Sequence, residues 1–298
     1  MVRRGGHRPG WPLRRSGMSM LGPAEIRDLA EALDLRPTKK LGQNFVIDAN
    51  TVRRIVTTAG VSAGENVVEI GPGLGSLTLG LLAAGASVTA IEIDRRLADQ
   101  LPITVAALVP DASLGVITAD ALALTELPGS PTVLVANLPY NVSVPVLLHF
   151  MEHFGSIQRG VVMVQAEVGQ RLAAGPGSKI YGAPSVKAAW YGEFRTAGSV
   201  SRQVFWPVPG VDSILVRFTR HEPPGNEAER LATFALVDAA FGQRRKMLRQ
   251  ALAGVLGDSA VAVTRLEAAG IPPTARGEEL DVAAFLAIAR SGAGASGD

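Results

Sequence analysis

The sequence predicts an α/β fold, an open parallel sheet with helices on both faces, followed by a small C-terminal helical domain. Between residues 60 and 165, short apolar runs alternate with stretches of helical periodicity. Strands separated by ten to fifteen helical residues form a parallel sheet. A Gly-rich turn closes the first run, at Gly71, Gly73 and Gly75. Beyond residue 222 only helical patterning remains, broken at 254–257 and 270–273.

In chain order, residues 1–20 hold Arg3, Arg4, Arg8, Arg14 and Arg15, no acidic residue and no apolar periodicity. This reads as a disordered basic arm. Met18 and Met20 are alternative starts, and no apolar stretch follows the arginines as a secretion signal requires. Strands are predicted at 66–70, 87–93, 116–118, 132–136 and 161–164, with helices at 77–84, 95–109 and 144–154. Runs 186–191 and 213–218 read as two further strands flanking the Pro-rich stretch 205–211. The linker-like Glu222-Pro223-Pro224-Gly225-Asn226 sets a domain boundary near 222. The expected division is therefore a basic arm at 1–20, a sheet domain at 21–221 and a helical domain at 222–298.

The 298 residues include no cysteine. That excludes disulfides, thiolate zinc sites and cysteine nucleophiles, and no metal site is expected. No apolar run reaches the roughly 18 residues that span a bilayer, so a cytoplasmic protein without a membrane partner is expected. The formal net charge is +2, but without the five arginines of the arm 24 basic residues face 27 acidic ones, a net of −3. A phosphate-binding surface on the folded part must therefore be a local patch.

The segment Val67-Val68-Glu69-Ile70-Gly71-Pro72-Gly73-Leu74-Gly75-Ser76 reads as strand, turn and helix start. Ser76 stands where a dinucleotide fingerprint has its third Gly, which disfavours NAD and FAD. The spacing Gly71-x-Gly73-x-Gly75 with an upstream Glu69 suits the S-adenosyl-L-methionine loop of a class I (Rossmann-like) methyltransferase sheet. Glu92 ends the second strand, 17 residues after Gly75, where a carboxylate accepts both ribose hydroxyls. Asp94 reads as a surface acid or helix cap. Asp120 ends the third strand and is placed either to accept from the adenine amine of that cofactor or to cap a helix.

The segment Asn137-Leu138-Pro139-Tyr140-Asn141 follows the fourth strand. An exocyclic base amine is a weak nucleophile, because its lone pair is conjugated into the ring. The Asn137 side-chain oxygen and the Leu138 carbonyl can each accept one of its hydrogens and draw the nitrogen toward tetrahedral geometry. Pro139 stiffens the turn, and Tyr140 can stack on an unpaired base. The competing reading is an Asn-capped turn with a buried Tyr. A base within a duplex cannot reach such a site, so the target is single-stranded or flipped out.

These motifs together resemble the ribosomal RNA adenine dimethyltransferase family, and within it the small-subunit branch. The similarity runs from about Arg36 to Ile288. Lys40-Leu41-Gly42-Gln43-Asn44-Phe45-Val46-Ile47-Asp48 matches the family's amino-terminal signature, with Val46 where Leu is more usual. Gly177-Ser178-Lys179-x-Tyr181-Gly182, Phe205-x-Pro207-x-Pro209-x-Val211-Asp212-Ser213 and Phe241-x-Gln243-Arg244-Arg245-Lys246 match later segments. The resemblance implies dimethylation at N6 of two adjacent adenosines in the 3′-terminal hairpin loop of 16S rRNA, within the immature small subunit. It implies cofactor contacts at Asn44, Val46, Gly71, Glu92, Asp120 and Asn137, beside the turn glycines Gly73 and Gly75. Base-handling residues fall on Asn137, Leu138, Pro139 and Tyr140. Phe205 is either the opposite face of a base sandwich or a core aromatic. Arg244, Arg245, Lys246 and Arg249 supply the local RNA-binding patch, with Lys39, Lys40 and Arg202 as further contributors. Alternatives are a large-subunit rRNA methyltransferase, an assembly factor whose binding matters more than methylation, and a DNA adenine methyltransferase. A monomer is expected.

Overall fold

The computed structural model describes residues 20–35 and 44–292. The expected arm up to residue 19, and Lys39 and Lys40, lie outside the described residues. Nine strands are described: β1 (Phe45–Val46), β2 (Asn66–Ile70), β3 (Ser87–Glu92), β4 (Leu114–Thr118), β5 (Val133–Asn137), β6 (Arg159–Gln165), β7 (Gly192–Val200), β8 (Phe205–Trp206) and β9 (Ser213–Arg220). Seven of them form one sheet in the order β4-β3-β2-β5-β6-β9-β7. The strands from β2 to β6 pair in parallel, and β9 runs antiparallel between β6 and β7.

The central strands read as continuous apolar runs because both faces are covered. Val133 and Val135 point into one core, while Leu134 and Ala136 point into the other. The first core is filled by α1 (Pro23–Ala32), α2 (Ala49–Ala59), α3 (Ser76–Ala83) and α4 (Arg95–Leu108). The second is filled by α5 (Ser143–His153), α6 (Ala166–Leu172) and α7 (Ala183–Tyr191).

Residues 186–191, expected as a strand, belong to α7, and the sixth strand of the sheet is β7 immediately after it. Pro184 in the first turn and the Ser185 hydroxyl, which accepts from the Gly182 N–H at 3.1 Å, start a helix there. The run Val186–Tyr191, apolar apart from Lys187, is the larger part of a helix buried between two layers, where periodicity does not separate helix from strand. The real edge strand, β7, is mostly exposed and carries a register shift between Thr196 and Ser199.

After β9 the chain passes to α8 (Glu227–Gly242), whose N-cap Asn226 accepts from the Glu229 N–H while the Glu229 carboxylate accepts from the Asn226 N–H. It continues through α9 (Leu248–Ala251), α10 (Ala253–Leu256), α11 (Ser259–Ala268) and α12 (Val282–Arg290). These helices close a third core around Leu236, Leu248, Leu266 and Phe285, which also takes in Tyr181 and Val186. The Tyr181 hydroxyl donates to the Leu280 carbonyl at 2.8 Å, so the helical layer is joined to the sheet domain through the segment before α7.

Candidate active site

The carboxyl ends of β2, β3, β4 and β5 open on one cavity of about 260 Å³. Asn44, Val46, Gly71, Gly73, Glu92, Asp120, Asn137, Leu138, Pro139 and Tyr140 all line it, and Gly75 follows directly in the turn. Eight of these expected site residues follow or end the four strands, which is where open α/β sheets bind ligands, and Asn44 and Val46 join them from the β1 segment.

The glycine turn needs its glycines. Gly73 has φ 57° and Gly75 φ 96°. A Cβ on Gly73 would lie 2.9 Å from two ring carbons of Phe45, and one on Gly75 would lie 2.7 Å from the Leu101 side chain. The turn is held from outside by Glu92, which is buried. One Glu92 oxygen accepts from the Gly73 N–H at 3.1 Å and the other from the Asp94 N–H at 2.9 Å. Burial raises the Glu92 carboxyl above the ordinary range, against these hydrogen bonds. Asp94 caps α4 and pairs with Arg96, as expected of a helix cap. Asp120 also caps a helical turn, accepting from the Leu122 N–H at 2.9 Å, and still lines the cavity. Asp120 is thus a helix cap, as one of its two readings expects, at a position on the cavity wall.

The N-terminal segment closes one side. β1 pairs antiparallel with β8, matching Phe45 with Trp206 and Val46 with Phe205. The Ser76 hydroxyl donates to the Val46 carbonyl at 2.7 Å. The Asn137 carboxamide donates through Nδ2 to the Asn44 carbonyl at 2.9 Å. Because the Asn44 carbonyl only accepts, this contact fixes the amide orientation and reserves Oδ1 of Asn137 as an acceptor. The Leu138 N–H is anchored on the Met163 carbonyl at 3.1 Å. The Tyr140 hydroxyl lies 2.9 Å from that of buried Ser213, and burial raises its pKa.

Two expectations change. Phe205 is fully buried in the core beside β1 and does not line the cavity, so it is a core aromatic, not one face of a base sandwich. Arg244 is not a free cation. Nε donates to Glu278 at 2.9 Å, Nη1 to the Tyr181 carbonyl at 2.8 Å and Nη2 to the Lys179 carbonyl at 2.8 Å. Arg245 and Lys246 are exposed in the turn after α8, and Arg249 is half-buried on α9. Arg202 is exposed, with its side chain on the Gly210 carbonyl.

Sequence reasoning did not single out Phe45, Ser76 or Ser213 as parts of the site. Their signal is long-range contact, which no local pattern carries. The exposed apolar Ile93, after β3, and Leu122, after β4, also line the cavity.

This sheet order with a glycine turn after its first parallel strand defines a Rossmann-like methyltransferase fold. A model described as "Ribosomal RNA adenine dimethylase" matches residues 35–292, and the chain belongs to that family of methyltransferases. The ribosomal RNA small subunit methyltransferase A of Leifsonia xyli subsp. xyli (strain CTCB07) is 70% identical over 275 residues, 91% of this chain and 98% of the relative. Its counterpart in Streptomyces coelicolor is 60% identical over 91% of this chain and 96% of the relative. Among solved structures, the 23S rRNA methyltransferase ErmE is similar with a TM-score of 0.62 at 27% identity, covering 83% of this chain and 99% of that one. A dimethyladenosine transferase from Plasmodium falciparum shares the fold with a TM-score of 0.69 at 23% identity, covering 82% and 95%.

Proposed function

We propose that this protein transfers methyl groups from S-adenosyl-L-methionine to N6 of two adjacent adenosines in the 3′-terminal hairpin loop of 16S rRNA. The substrate is the immature small ribosomal subunit, and the protein acts as a cytoplasmic monomer. Relatives 58–70% identical carry the small-subunit name, which supports this branch over the large-subunit alternative. Among the described residues no helix is long and apolar enough to cross a membrane.

The cavity suits that donor. Glu92 offers its remaining lone pairs to ribose hydroxyls, Ile93 and Leu122 offer apolar faces to a base, and Asp120 offers an acceptor to its amine. Glycine backbone at Gly71 and Gly73 allows close approach. When bound, the donor supplies an electrophilic methyl group on a cationic sulfur. The protein's own part is positioning. The observation that carries the reading is the Asn137 carboxamide, which lines the cavity and spends Nδ2 on the Asn44 carbonyl, so that Oδ1 is left as its acceptor. Oδ1 and the Leu138 carbonyl hold the two amine hydrogens of a target base, and the Tyr140 ring, tethered at Ser213, supports its face. The phosphate contacts fall to Arg245, Lys246 and Arg249, with Arg244 holding the surface that carries them.

Methylation of immature small subunits and of large subunits with labelled donor, followed by mass spectrometry of the nucleosides, tests the substrate. Dimethyladenosine is expected in 16S rRNA alone; its appearance only in large-subunit RNA refutes the proposal. Asn137→Ala is expected to lower turnover by two orders of magnitude or more, on the order of 3 kcal/mol, with donor binding still measurable. Unchanged turnover in that variant rules out the amide as the amine acceptor.

A further inference from the structure

One buried acid in the cavity has no part in the chemistry above. Glu69 lies on β2, lines the cavity and is 1% exposed. Its Oε2 accepts from the Thr78 hydroxyl of α3 at 2.6 Å. Its Oε1 has no hydrogen-bond partner among the described residues, and the side chain belongs to the cavity lining. The charged and titratable groups around the cavity are Glu92 from β3, Asp120 after β4 and Tyr140 after β5. No Lys, Arg or His among the described residues lines it.

An isolated carboxylate without a counter-charge is costly to bury and keeps its proton instead. Burial, with the nearby Glu92 charge adding to it, pushes Glu69 up to about 8, and the Thr78 hydrogen bond only partly opposes this. A cation entering the same low-dielectric space supplies the missing counter-charge.

We propose that Glu69 reads the positive charge of the methyl donor: it holds a proton on Oε1 in the empty cavity and gives that proton up to solvent when the donor binds. This rests on the donor assignment made above. One O–H bond breaks at Glu69, the proton passes to buffer, and the carboxylate left behind faces the cation. No other bond changes. Donor affinity therefore rises with pH up to about 8, and an uncharged ligand of similar shape gains nothing from Glu69.

The test is titration calorimetry with S-adenosyl-L-methionine at pH 7 in phosphate and in Tris, buffers with different heats of ionisation. The wild type is expected to release close to one proton per donor bound, and its affinity to rise roughly tenfold from pH 6 to pH 7. Glu69→Gln keeps the shape and hydrogen-bonding pattern of the neutral acid and is expected to lose both effects. Wild-type heats that do not depend on the buffer, or a variant that releases as many protons as the wild type, overturn the proposal. A second measurement needs no donor. The folded protein binds this proton more tightly than the unfolded chain does, so stability is lost as pH rises toward about 8. The wild type should accordingly lose stability relative to Glu69→Gln between pH 5 and 8; a constant difference overturns the proposal. Absence of any binding heat in a folded wild type instead refutes the donor assignment, and the stability series still decides the state of Glu69.

Discussion

Each oxygen of Glu92 already holds one backbone N–H, that of Gly73 on one side and that of Asp94 on the other. The residue read in the sequence as a ribose acceptor is therefore also the brace between the glycine turn and the start of α4. Replacing it by Ala leaves two donors short of partners in a largely buried place. Glu92→Ala is expected to cost about 1–3 kcal/mol of stability before any ligand is added, and to weaken donor binding by a further factor of ten or more. Urea unfolding of the ligand-free variant reads the first effect and calorimetry the second. If only the second changes, the brace is not needed and Glu92 serves the ligand alone. The residue type and its strand-end position were legible in the sequence. The double use was not, because it depends on where a turn 19 residues upstream folds back.

At the scale of elements, the parallel strands were legible because their apolar runs are strong and their helices well separated. Strand β1 was not legible as structure, although its residues were named. Two residues make no periodicity, and its partner β8 is remote in the chain. What keeps β1 over the cavity is a set of single contacts: Ser76 on the Val46 carbonyl, Asn137 on the Asn44 carbonyl, and the Phe45 ring against Gly73. Gly73→Ala attacks this set directly. The new Cβ would meet the Phe45 ring at 2.9 Å on a backbone with positive φ, and the strain of φ alone is about 1–2 kcal/mol. Donor affinity should fall at least tenfold, and the amide of Ile47, which donates to the Val204 carbonyl, should exchange faster with deuterium. Gly64→Ala is the control, since φ is 82° there and nothing lies within 4 Å of its Cβ. It should share the stability cost without the loss of affinity. Equal loss in both variants makes backbone strain, not the seat of Phe45, the cause.

For the whole molecule, charge decides how RNA is met. Outside the arm the sequence is slightly acidic, so binding depends on a few placed cations. Sequence reading counted four in the run 244–249 as equivalent, because nothing local tells a clamped arginine from a solvated one. Their surroundings differ. Arg244, just after α8, holds two carbonyls of the segment before α7 and the Glu278 carboxylate of the segment before α12, next to the point where Tyr181 joins the helical layer to the sheet domain. Arg245 is exposed beside it. The two therefore separate stability from binding. Arg244→Ala should lower unfolding free energy by about 1–3 kcal/mol, from charge-assisted hydrogen bonds lost between layers. Arg244→Lys, with no planar fork to span three acceptors, should recover little of that. Arg245→Ala should leave stability within about 0.5 kcal/mol but weaken binding to 16S rRNA, with the slope of log affinity against log salt falling by about 1. Measured side by side, a stability loss confined to Arg245 and a reduced salt slope confined to Arg244 would exchange the two roles and show that Arg244 leaves its clamp to reach the RNA.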